Sequence, residues 1–189
     1  MEFRLLFEGE VMPRQRATLA DIHAIRIQLH PQLRKLWDHP PLNDCRGWLR
    51  LPGQDNDYAV FEQRGTRTYA PIVTKRADLI GELDIIFLRQ QAKGQLISEG
   101  GDIDNRLKTL FDALRTPSVS EIQSLGAALD QDDDPLYCLF QDDSLITRVN
   151  VETDRLLRPV QNEHELVAVI KVRVRASKVT WGTMTLLSG

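Results

Sequence analysis

The residues best suited to chemistry lie in one stretch, 101–115, which reads GDIDNRLKTLFDALR. Asp102 and Asp104 stand near its start, and Lys108 follows Asp104 by four residues, about one helical turn. A helix N-terminus also presents backbone N–H groups with partial positive charge. The stretch therefore predicts a site for a phosphate group and a divalent metal ion. The same residues also fit an ordinary surface helix with a capping acid and an ion pair between neighbouring turns.

The apolar residues of this stretch predict the helix that would position the acids. Leu107, Leu110, Phe111 and Leu114 follow the i, i+3, i+4, i+7 spacing of one buried helical face. We therefore expect a helix to begin near Asp102 and to end near Arg115, with Gly100 and Gly101 in the turn before it.

A second acidic pair, Asp142 and Asp143, precedes a predicted strand that continues to about Val151. Carboxylates that are brought together repel one another unless a cation neutralises them. Oxygen ligands without cysteine or histidine favour Mg²⁺, with Mn²⁺ as a possible substitute. The predicted metal ligands are Asp102, Asp104, Asp142 and Asp143. Lys108 would bind the scissile phosphate or stabilise the leaving oxygen.

These two motifs resemble the RusA family of Holliday junction resolvases. The family pattern Asp-x-Asp-Asn-x-x-Lys-x-x-x-Asp is matched from Asp102 to Asp112, and its Asp-Asp-(Ser/Ala) pattern is matched from Asp142 to Ser144. The resemblance implies a homodimeric, Mg²⁺-dependent endonuclease that acts on four-way DNA junctions. It gives the catalytic roles to Asp102, Asp104, Lys108 and Asp143, with Asp142 as a supporting metal ligand.

The predicted order of elements agrees with this family and indicates an α+β fold, a mixed β-sheet flanked by helices. The predicted strands cover about 2–8, 58–62, 69–74, 79–88, 146–151, 166–176 and 179–187, and the predicted helices cover 18–37, 102–115 and 119–129. We expect Pro31 to interrupt the first helix, either as a kink or as the first turn of a second segment. We also expect 38–57 to form a loop and 79–88 to be a central strand covered on both faces. The chain would be one domain, with insertions relative to the family near 38–78 and 116–140.

Composition excludes several classes of protein. The chain has 189 residues, 42% of them hydrophobic and 27% charged, with a net charge of −3. No apolar run is long enough to span a membrane, and the acidic, alternating start predicts a strand instead of a secretory signal. Two cysteines without metal-ligand spacing favour a reduced, cytoplasmic protein.

The acidic net charge leaves DNA binding to local groups of basic residues. Our predicted DNA contacts are Arg14, Arg16, Lys171, Arg173 and Arg175, with further cations in the region 64–76. For the row at 171–175, a solvated sheet face is an equally good interpretation. Two other functions remain open: a catalytically inactive DNA- or protein-binding module of the same family, and Mg²⁺-dependent phosphotransfer on nucleotides. The second alternative is the weaker one, since the sequence has no P-loop pattern.

Overall fold

The computed structural model describes residues 1–53, 58–90, 103–129, 133–162, 164–178 and 183–184. The strands in these residues are β1 (Glu2–Glu10), β2 (Glu62–Arg64), β3 (Arg67–Val73), β4 (Leu79–Arg89), β5 (Leu136–Phe140), β6 (Ile146–Arg155) and β7 (Glu165–Ala176). The α-helices are α1 (Leu19–Leu36), α2 (Ile103–Leu114) and α3 (Val119–Leu125). The predicted α+β class, with mixed sheets flanked by helices, is confirmed.

The larger sheet has four strands in the order β1-β7-β4-β6. Strand β7 is antiparallel to both β1 and β4, whereas β4 and β6 run parallel. Alternating residues of β7 point to opposite faces, as the sequence predicts: Ile170 and Val172 are fully buried, and Lys171 points away from the core. One face of this sheet therefore forms one side of the hydrophobic core.

Helix α1 covers that face of the sheet with a stripe of apolar residues. Thr18 caps the helix by accepting a hydrogen bond from the backbone N–H of Asp21, whose side chain accepts one in return from the backbone of Thr18. Ile22, Ile25 and Leu29 are buried in the same cluster as the strand residues. Helix α1 runs continuously through Pro31, so the alternative of a second segment that begins there is wrong.

The smaller sheet is built by the two segments predicted to be insertions. Residues 38–78 supply the hairpin of β2 and β3, which turns at Gly65 with φ +62°, and 116–140 supply β5. Strand β5 lies parallel to β3, so that the order is β2-β3-β5. These two segments, far apart in sequence, thus form a common unit that leads directly to Asp142.

Three further expectations are corrected in the described residues. The predicted loop at 38–57 contains a 3₁₀ helix at Leu42–Trp48, and the first hairpin strand begins at Glu62 instead of Tyr58. Strand β4 is central but only one of its faces is fully covered, since Ile86 on the other face is 37% exposed. Most of the predicted last strand, 179–187, lies outside the described residues. None of the helices in the described chain combines the length and apolar composition needed to cross a membrane.

Candidate active site

Helix α2 carries Asp104 and Lys108 of the first acidic motif on its exposed side. The Nζ atom of Lys108 lies 2.6 Å from Oδ2 of Asp104, and both side chains are more than half exposed. The predicted pairing of these two residues one turn apart is therefore present. Asp102 lies outside the described residues. The opposite side of α2 is anchored by Leu110 and Leu114, which are almost completely buried.

The second acidic motif begins where β5 ends. Asp142 caps a short 3₁₀ helix, Asp143–Leu145, by accepting a hydrogen bond of 3.0 Å from the backbone N–H of Ser144. Hydrogen bonds from Ser144, together with the nearby charge of Lys75, lower the pKa of the Asp142 carboxyl. Asp142 is therefore held as an oriented carboxylate at neutral pH, and Asp143 is exposed to solvent.

The 3₁₀ helix that contains Asp143 packs against α2. Leu145, at the end of the 3₁₀ helix, is buried in the same cluster as Leu110 and Leu114 of α2, and the two helices are in contact. Among the residues that the structure describes, no group of three or more histidine, cysteine or acidic side chains is arranged to hold a metal ion. Asp104, Asp142 and Asp143 supply only oxygen atoms, which are the type of ligand that Mg²⁺ prefers.

The turn after β1 is attached to the N-terminal half of α2. The backbone N–H of Arg14 donates to the carbonyl of Asn105 at 3.0 Å, and the buried guanidinium of Arg106 donates to the carbonyl of Val11. The exposed Arg16, one of the predicted DNA contacts, lies in this turn. The arginine-containing turn is therefore fixed beside the acidic motif.

Asp112, the last residue of the first motif, has a structural role. Its carboxylate receives Arg14 Nε at 2.8 Å on one oxygen and Arg115 Nη2 at 2.8 Å on the other. Arg115 continues the network with two bonds to Glu121 of α3, at 2.9 and 2.8 Å. Burial alone would raise the pKa of Glu121, but hydrogen bonds from Arg115 and Ser118 lower it to about 2. Arg14, a predicted DNA contact, is thus engaged in an ion pair.

Arg26 of α1 fixes the C-terminal end of α2. Its side chain is 2% exposed, and it donates to the carbonyl of Asp112 at 2.7 Å and to that of Arg115 at 3.2 Å. These carbonyls lie at the end of a helix, where backbone acceptors lack partners within the helix and negative charge accumulates. Burial lowers the pKa of this arginine. A sequence pattern alone assigns such a residue to the surface, so this contact was missed.

Acidic residues on neighbouring strands pair with the predicted basic row of β7. Lys171 Nζ lies 2.8 Å from Glu2, Arg173 Nη1 lies 2.7 Å from Asp84, and Arg175 Nε lies 2.6 Å from Glu82. This arrangement supports the interpretation of the row as a sheet face of alternating charge. The sequence could not reveal it, because the acids belong to β1 and β4 and depend on strand register.

Gly81 of β4 makes room for the residue that precedes the second motif. A Cβ atom at this position would lie 2.4 Å from Cε1 and 2.7 Å from Cζ of Phe140, the last residue of β5. The carbonyl of Phe140 accepts a hydrogen bond of 2.9 Å from the backbone N–H of Thr116. The position of the Asp142–Asp143 turn thus depends on the absence of a side chain in β4.

In comparisons with known proteins, no family model matches the sequence, and neither a curated protein nor a solved structure matches it.

Proposed function

We propose that this protein is a Mg²⁺-dependent, structure-selective endonuclease that cleaves four-way DNA junctions in recombination and repair, as the resemblance to the RusA family implies. The observation that carries the proposal is the packing of α2, with its exposed Asp104–Lys108 pair, against the turn that holds Asp142 and Asp143. This contact between the elements that carry the two motifs supports the proposal.

The proposed reaction is hydrolysis of a phosphodiester by in-line attack of water. Asp102, Asp104 and Asp143 would hold Mg²⁺, with Asp142 in support. When bound there, Mg²⁺ would supply Lewis acidity for the attacking water and positive charge against the phosphate. Lys108 has three N–H donors, so it can keep one on Asp104 while another binds a phosphate oxygen.

The proposal extends to assembly and location. A two-fold homodimer would place two such sites on opposite strands of a junction. Arg16 would contact DNA beside the acids, whereas Arg14, Lys171, Arg173 and Arg175 would first have to exchange their carboxylate partners for phosphates. We propose a cytoplasmic location, where the two unpaired, buried cysteines, Cys45 and Cys138, would stay reduced.

Cleavage of a labelled synthetic four-way junction in Mg²⁺ tests the proposal, with a linear duplex as the substrate control. The wild type should make paired nicks near the crossover, and Asp104→Asn should abolish them. Asp44→Asn, which changes an exposed acid of the 3₁₀ helix at 42–48, is the matched control and should cleave normally. Junction binding without cleavage in either Mg²⁺ or Mn²⁺ would contradict the proposed nuclease activity and favour a catalytically inactive DNA-binding module.

A further inference from the structure

A cleft of about 870 Å³ lies beside the Asp142–Asp143 turn. Its lining consists of residues 51–52, 59–64 and 74–76 together with Gln141. The cleft adjoins the candidate active site, because Gln141 immediately precedes Asp142 and Lys75 Nζ lies 4.0 Å from Oδ1 of Asp142. Its volume falls within the range of about 300–1,000 Å³ that is typical of ligand-binding clefts.

Side-chain hydrogen bonds connect the strands that form the cleft. Gln141 accepts a bond of 2.8 Å from the backbone N–H of Lys75 through Oε1, and its Nε2 donates to Glu62. Glu62 also receives Arg64 Nη2 at 2.8 Å, and Arg64 Nη1 donates to the carbonyl of Pro117 at 2.9 Å. This network joins β2 to the segments that follow β3 and β5, so the cleft is preformed.

The charge of the cleft is opposite to that of the whole chain. Its lining contains three cations, Arg64, Lys75 and Arg76, against a single carboxylate, that of Glu62. Arg64 is already bound to Glu62 and Lys75 Nζ lies 4.0 Å from Asp142, so a ligand at the exposed edge would meet Arg76 and would share Lys75 with that carboxylate. On a protein with a net charge of −3, this local excess favours an anionic ligand.

The lining also contains a group of apolar residues, the apolar wall. It consists of Leu51, which is 49% exposed, Pro52 and the partly buried Phe61. Backbone hydrogen bonds hold this wall in place: the N–H of Phe61 donates to the carbonyl of Arg50 at 3.1 Å, and that of Val60 to the carbonyl of Trp48 at 2.9 Å. A lining that combines an aromatic ring and aliphatic groups with a basic edge fits a ligand that carries both phosphates and flat bases.

From this combination we infer that the cleft binds an unpaired nucleic-acid strand, with phosphates at Lys75 and Arg76 and bases against Leu51 and Phe61. A duplex keeps its bases stacked inside and would present no partner to the apolar wall. The inference rests on the proposed function in taking DNA as the ligand, and it adds that strands enter the site unpaired. The two segments predicted as insertions would thereby provide the substrate contacts.

Fluorescence anisotropy with a labelled oligothymidylate of about 12 nucleotides tests this inference. EDTA in the buffer keeps binding separate from cleavage. The wild type should bind the oligonucleotide more tightly than a duplex of the same length. Lys75→Ala/Arg76→Ala should weaken binding about tenfold and reduce the slope of log K against log salt by about 1.4, since each contact to a single strand contributes about 0.7.

Two further variants separate the parts of the cleft from general charge effects. Leu51→Ser should weaken binding while leaving the salt slope unchanged, because it removes an apolar contact only. Arg34→Ala/Lys35→Ala is the matched control, since it removes two adjacent exposed cations from the last turn of α1. This control should bind like the wild type.

The inference is overturned if the wild type does not bind the oligonucleotide, if it prefers the duplex, or if the variant at 75 and 76 binds no more weakly than the control. Its failure is distinguishable from that of the proposed function. If the wild type cleaves junctions but the variant at 75 and 76 binds single strands as well as the wild type does, only this inference is contradicted. Single-strand binding that depends on Lys75 and Arg76, without junction cleavage in Mg²⁺, would contradict only the proposed nuclease activity.

Discussion

The contact between Gly81 and Phe140 predicts that Gly81→Ala destabilises the fold. Carbon atoms pack at about 3.5–4.0 Å, so a Cβ at 2.4 Å from the ring overlaps it by about 1 Å. Phe140 is fully buried, and such overpacking costs about 1–3 kcal/mol. Replacing glycine by alanine in a strand returns about 0.5–1 kcal/mol. We therefore expect the free energy of unfolding to fall by about 1–2 kcal/mol.

A double-mutant cycle identifies the cause of this loss. Phe140→Leu removes the two ring atoms closest to the new methyl group and should itself cost about 1 kcal/mol. In Gly81→Ala/Phe140→Leu the clash is relieved. The loss of unfolding free energy in the double variant should therefore be smaller than the sum of the losses in the two single variants by at least about 1 kcal/mol.

Urea unfolding followed by circular dichroism measures the three variants against the wild type. Additive losses, or a Gly81→Ala variant as stable as the wild type, would show that the contact with the Phe140 ring is not the cause. Because Phe140 leads directly into the Asp142–Asp143 turn, Gly81→Ala should also reduce junction cleavage. The double variant should recover part of that activity.

Three other predictions concern the groups that hold or use α2. With a pKa of about 2 in the fold and 4.5 as its ordinary value, ionised Glu121 stabilises the protein above pH 4.5, and this contribution is lost as the pH falls toward 2. Discounted for partial exposure, this contribution to the free energy of unfolding is about 2 kcal/mol. Glu121→Gln should therefore be less stable than the wild type at pH 7 and should lose less stability on acidification, as urea unfolding at pH 7 and pH 3 will show. Arg26→Met should lower stability by about 3 kcal/mol in the same assay, because two helix-end carbonyls lose their charged donor; a change below about 1 kcal/mol would contradict that role. Lys108→Met should change stability by less than about 0.5 kcal/mol, since its ion pair is exposed, and yet abolish junction cleavage; activity close to that of the wild type would exclude the proposed phosphate contact.

The parts of the fold that the sequence predicts are those set by local periodicity. The stripe of α1 and the alternation of β7 follow directly from residue spacing. In the site, the same local pattern predicts the pairing of Asp104 with Lys108.

The remaining features depend on pairing between distant segments. The parallel pairing of β3 with β5 joins residues more than 60 positions apart, and it creates the second sheet and the cleft. The partners of the basic row, Glu2 and Asp84, are fixed by strand register. Buried arginines such as Arg26 violate the usual rule that charged residues are exposed, so no single-sequence pattern indicates them.

In the proposed nuclease, the acids of α2 and of the Asp142–Asp143 turn act as one metal site. The most direct test is Mn²⁺ binding, measured by electron paramagnetic resonance of the free ion in titrations of the wild type, Asp104→Asn, Asp143→Asn and the control Asp44→Asn. We predict binding by the wild type and the control, and a loss of at least about tenfold in affinity for each of the other two variants. Wild-type affinity in either Asp104→Asn or Asp143→Asn, or no binding by the wild type, would contradict a shared site.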